Sequence, residues 1–296
     1  MNRRDFVKNS VVVALGSAAF SACVSQKAKI TNNHSIGVQL YTLRDAMKED
    51  AKGTLQLLAN IGYKELELAG WKDYQFYNFS PKEWKKITQD LGLKTISSHV
   101  GSGRTTPEVE GTLFNGWEKT VQAAAEAGIP YIVCPNLNGQ ERKNLDDYKK
   151  TADFLNKCGE LSKKYGVKLG YHNHAFEFEK MEGKVPYDIL LQETDKDKVC
   201  FELDLYWIKK AGYDFKDYFQ RFAGRFELWH VKDMDNTAEA FFTEVGNGIM
   251  DFKAIFAMQK TAGMKHFFVE QDKCKNNPPT ESVKISYNNL KKLLNS

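Results

Sequence analysis

From Ser35 to the C-terminus this chain repeats one pattern eight times: a short apolar run of strand character, a polar turn, then a stretch with helical periodicity. The strand-like runs are Ile36–Tyr41, Tyr63–Ala69, Lys94–Val100, Tyr131–Pro135, Val167–His174, Val199–Leu205, Phe226–Val231 and His266–Gln271. Between them, Leu55, Leu58 and Ile61 mark a helix over about 44–60. Ser80 and Pro81 open another as N-cap and first helical residue, running to Leu91. Helices are also expected over about 113–127, 145–165, 215–222 and 281–294, after Pro186 and from Asp251. Eight strand–helix units in roughly 260 residues match the size of a parallel (β/α)8 TIM barrel, the α/β fold expected for residues 36–296. A doubly wound open sheet would carry a glycine-rich phosphate turn after its first strand. Gln39-Leu40-Tyr41-Thr42 is not one.

Four late strands stop on side chains that bind metals. They end in His174, Asp204, His230 and Glu270, at the end of the barrel where this fold keeps its chemistry. Residues two apart on a strand share a face. That puts Glu202 one layer below Asp204, sets Lys232 beside His230, and pairs His172 with His174. Carboxylate and imidazole donors together suit a divalent metal such as Mn, Zn, Co or Fe. Gln39, Tyr41, Glu67, His99, Asn136 and Trp207, at or near other strand ends, are candidates to bind a substrate's hydroxyls or stack on its face. Gly246-Asn247-Gly248 is first a turn, and second a place where a phosphate could sit.

Residues 1–22 read as an export signal. Arg3 and Arg4 precede Phe6 and Lys8, then an apolar stretch Val11–Ala22 too short to span a bilayer. The paired arginines resemble a twin-arginine signal, and Phe20-Ser21-Ala22-Cys23 resembles a lipoprotein processing box. Residues 23–35 would then be a tether, with membrane attachment only through a lipidated Cys23 and a periplasmic or membrane-anchored location. The net charge is +4. Setting aside three basic and one acidic residue of the leader leaves +2, which gives no reason to expect a nucleic-acid partner. Cys134, Cys158, Cys200 and Cys274 show no CxxC spacing and read as free thiols, although export would permit disulfides.

The segments Ile36–Tyr41, Tyr171–Phe178, Glu202–Trp207, His230–Asp233 and Val269–Asp272 resemble, in order, those of the sugar phosphate isomerase/epimerase family with a xylose isomerase-like barrel. The Tyr171-His172-Asn173-His174 form is similar to the branch of inosose dehydratases and keto-sugar lyases. The resemblance implies a divalent metal held by Glu, Asp, His and Glu at the ends of strands five to eight. Asp204, His230 and Glu270 match three of these, and His172 stands at the fourth in place of glutamate; the alternatives there are that His174 or Glu177 reaches in, or that metal binding is weakened. The implied activity is an exported sugar isomerase or epimerase, or a keto-sugar lyase or dehydratase, moving protons through a metal-stabilised enediolate. In that scheme His174 or Glu177 transfers the proton and Lys232 steadies the oxyanion. Losing one glutamate base favours elimination over two-base epimerisation. The rival readings are a sugar-binding lipoprotein without catalysis and an endonuclease IV-like phosphodiesterase. Six histidines and a balanced charge argue against the latter.

Overall fold

The computed structural model describes residues 35–295. The leader, Cys23 and all but the last residue of the tether lie outside the described residues. Eight parallel strands close into a barrel: β1 (Gly37–Gln39), β2 (Glu65–Leu68), β3 (Lys94–His99), β4 (Tyr131–Cys134), β5 (Lys168–His172), β6 (Val199–Asp204), β7 (Leu228–Val231) and β8 (His266–Val269). Each pairs with its neighbours in sequence and β8 pairs with β1. The (β/α)8 expectation holds. Among the described residues no helix is long and apolar enough to cross a membrane.

Local chemistry explains the outer layer. Ser80 caps the helix Pro81–Asp90 through a reciprocal box with Glu83, and proline takes the first helical position, where no amide hydrogen is needed. The helix over 44–60 is in fact two, Arg44–Glu49 and Ala51–Ile61, because Asp50 leaves helical geometry and its side chain caps the second helix at Gly53. The fourth helix starts at Trp117 rather than 113. Two antiparallel hairpins lie outside the eightfold pattern, Trp71–Lys72 with Gln75–Phe76 and Asp233–Met234 with Phe242–Thr243. The four described cysteines are free thiols.

Inside the barrel the strands stack in layers. Ile96, Tyr131, Val133, Cys200, Leu228 and Phe268 form an apolar plug. Above it, register sets polar and charged residues side by side: Gln39 opposes Glu67, His172 opposes Glu202, and Asp204 opposes His230. Strands buried on both faces are held by the main core outside and this plug inside, so the polar layer rests on a rigid floor. Removing the Ser80 cap should leave that floor intact. Ser80→Ala is expected to lower unfolding stability by about 1 kcal/mol, read as a lower urea midpoint with an unchanged slope.

Candidate metal centre and cavity

Four side chains from four successive strands meet at the mouth of the barrel. His172 at the end of β5, Asp204 at the end of β6, His230 on β7 and Glu270 just beyond β8 bring ligand atoms within 4.8 Å of one another. All four are buried. His172 Nε2 lies 3.2 Å from Asp204 Oδ2, while its Nδ1 lies 3.1 Å from the Pro135 carbonyl. A carbonyl only accepts, so Nδ1 carries the hydrogen. Burial, then the neighbouring His230, hold His172 well below the usual imidazole range, so the ring is neutral. Its Nε2 lone pair therefore faces a carboxylate oxygen, a repulsive contact that a shared cation would relieve. His230 Nδ1 stands 2.7 Å from Glu270 Oε2 without the alignment of a hydrogen bond. The donors converge on common space rather than on each other, and this donor set fits a divalent ion.

Lys232 supplies the resident positive charge. Its Nζ lies 2.9 Å from Asp204, 2.7 Å from Glu270 and 2.8 Å from Asp272. Burial alone would push this ammonium down, but the three carboxylates outweigh it and hold it well above its usual value. Burial would push Glu270 up, but Lys232 and then His230 hold it well below the carboxylate range. Asp272 goes the other way: burial raises it to about 6.

A cavity of about 870 Å³ opens over these groups, within the size range of small-molecule sites. His99, Asn136, His172, His174, Lys232, Glu270 and Tyr41 line it, so most of the expected residues border one cavity. Arg44, Asp272 and Trp71 also line it and were not expected. The signal for Asp272 was present, two residues beyond Glu270 and so on the same face.

Other expected residues lie elsewhere. Gln39 and Glu67 are fully buried beneath the mouth, where Gln39 Nε2 donates to Glu67 at 2.8 Å and His230 Nε2 lies 2.5 Å from Glu67. They face the underside of His230 rather than the cavity. Trp207 is half-buried, packed against His174 and Phe242. Glu177 is not brought to the cavity either. The short 3-10 turn Phe176–Phe178 folds it inward, where it accepts from the Tyr171 hydroxyl at 2.7 Å and the His174 amide at 2.8 Å. It shapes the loop that carries His174. The Gly246–Gly248 turn has no amides left for a phosphate: the Asp233 carboxylate accepts from Gly246, Gly248 and Met250. A Cβ on Gly248 would collide with Met234 and Asp233, so the turn wraps that carboxylate closely.

Residues 55–293 match the xylose isomerase-like TIM barrel family, and the chain belongs to it. A sugar phosphate isomerase/epimerase from Parabacteroides distasonis is 30% identical and superposes with a TM-score of 0.74, covering 88% of this chain and 94% of its own. The inosose dehydratase of Clostridium perfringens is 24% identical over 254 residues, 74% of this chain and 85% of its length. The IolI protein, solved with a bound zinc atom, shares the fold at 15% identity, with a TM-score of 0.71 over 88% of this chain and 98% of its own.

Burial of Glu177 gives a stability signature. Burial raises its carboxyl from 4.5 to about 7, so the folded state holds a proton that the unfolded state has released. The stabilising contribution is full below pH 4.5 and is lost as pH rises through 7, a change of about 3 kcal/mol. Glu177→Gln should flatten the fall in stability between pH 4.5 and 7 relative to wild type, measured by denaturant unfolding across that range.

Proposed function

We propose that this protein is a divalent-metal-dependent carbohydrate enzyme that works by proton transfer next to a carbonyl, with elimination of a carbon–oxygen bond as its main reaction. The observation that carries the reading is the neutral His172 Nε2 facing Asp204 within a buried set completed by His230 and Glu270. These four side chains would hold the ion. When bound, such an ion supplies Lewis acidity to a carbonyl or hydroxyl oxygen. The dehydratase and isomerase/epimerase names of the relatives support sugar substrates, and the zinc in IolI supports a metal of this type.

The chain's own residues divide the proton work. Burial, then Lys232, push His174 down to about 4, so its imidazole is neutral near pH 7 and can take a proton. Its Nδ1 is buried without a hydrogen-bond partner. Asp272, at about 6, lines the same cavity 2.8 Å from Lys232, and its protonated form can give one. Lys232 Nζ also provides a fixed positive charge where negative charge would develop on a substrate oxygen. A base and an acid of different kinds suit elimination: one removes the proton beside the carbonyl, the other protonates the departing oxygen. Epimerisation by matched bases has less support, because imidazole replaces a carboxylate at the end of β5.

The leader supports export, by a twin-arginine route with a lipid on Cys23, so the substrates would be met outside the cytoplasm.

His174→Ala is expected to lower kcat by about 10²–10⁴ while leaving zinc affinity near wild type. Chelation of the wild type should abolish turnover, and added Mn or Zn should restore it. Turnover of keto-glycosides and simple ketoses in deuterated water separates the chemistries: a released alcohol or an enone marks elimination, and deuterium kept at one carbon marks isomerisation. A chelated protein with full turnover would contradict the metal reading.

A further inference from the structure

Beneath the mouth lies a second group of potential ligands, Glu67, His99, Glu202 and His230. The polarity of its hydrogen bonds decides what it does. The Tyr41 backbone amide can only donate, and it donates to Gln39 Oε1 at 3.0 Å. This turns the Gln39 amide nitrogen toward Glu67 Oε2 at 2.8 Å and His99 Nδ1 at 3.4 Å. An amide nitrogen only donates, so His99 Nδ1 accepts and the imidazole hydrogen sits on Nε2, which donates to Glu202 Oε2 at 2.9 Å. His230 Nε2 lies 2.5 Å from Glu67 Oε2 and 3.1 Å from Glu202 Oε2, so two carboxylate oxygens accept its hydrogen.

Both imidazole nitrogens aimed into this layer therefore carry hydrogens, and a protonated nitrogen cannot bind a metal. The inner group is a closed hydrogen-bond network rather than a second cation site. It leaves Nδ1, the atom 2.7 Å from Glu270, as the one His230 nitrogen at which a cation can take the place of a proton. A metal-binding histidine gains basicity and a fixed orientation when its other nitrogen donates to a carboxylate.

We infer that Glu67, itself oriented by Gln39 and the Tyr41 amide, is a positioning residue that commits His230 to present Nδ1 to the cation. The inference rests on the metal reading above and extends it to residues that touch neither cation nor substrate. It replaces the sugar-binding role expected for Gln39 and Glu67. The distant Tyr41 amide on the first strand's turn thus sets the donor atom on the seventh.

Zinc alone is the probe, titrated against a chromophoric chelator with the full chain. Glu67→Gln sets an amide against the Gln39 amide and removes the carboxylate from His230. It is expected to bind zinc 10–100-fold more weakly, still at one ion per chain, with Gln39→Leu moving the same way by less. Nitrogen-15 spectra of histidine-labelled, zinc-loaded wild type need no variant, and should show His230 coordinated through Nδ1 and protonated at Nε2. Equal zinc affinity in Glu67→Gln, coordination through Nε2, or two zinc ions per wild-type chain would each overturn the inference alone. A wild type that binds no zinc would overturn the metal reading as well.

Discussion

A carboxylate taken out of water needs a cation, hydrogen-bond donors or a proton, and this barrel removes four of them at once. Glu67, Glu202, Asp204 and Glu270 are all buried inside the ring of strands. Lys232 and His230 are the cationic groups set among them, Lys232 against Asp204 and Glu270 and His230 against Glu67, Glu202 and Glu270. Uncompensated charge in such a place costs several kcal/mol, so two monovalent cations facing four carboxylates define a site that favours one more divalent charge. Burial would push His230 down, but Glu202, Glu270 and Glu67 together hold it well above the imidazole range. That is the signature of a ring standing where negative charge accumulates.

The layers divide the labour. An apolar plug keeps the lower barrel rigid, an inner network fixes the direction of one imidazole, and the outer donors and Lys232 face a cavity. Glu177 and Asp233 work behind this surface. Each is a carboxylate spent on backbone amides, one holding the His174 loop and the other closing the turn after β7. Strands or their ends carry the ligands, whereas loops carry His174 and Asn136, the arrangement expected where one fold serves many substrates.

Much of this was legible in the sequence because strand periodicity is local. Alternation alone placed Glu202 under Asp204 and Lys232 beside His230, and Ser80-Pro81 announced its helix. The roles of Gln39 and Glu67 were not legible. They follow from the register of β1 on β2 and from contact with His230, 163 residues away from Glu67, and no local pattern encodes either. The position of Glu177 was not legible either, because it depends on a 3-10 turn and on contacts with the Tyr171 hydroxyl and the His174 amide. The break at Asp50 was hidden because an aspartate inside a helical stripe looks like any solvated residue until its side chain is seen capping Gly53.

Anomalous diffraction from crystals grown with manganese tests the central claim most directly. One peak per chain is expected, bounded by His172 Nε2, Asp204, His230 Nδ1 and Glu270. Strand ends free of anomalous density, or a peak on the far side of His230 between Glu67 and Glu202, would contradict it.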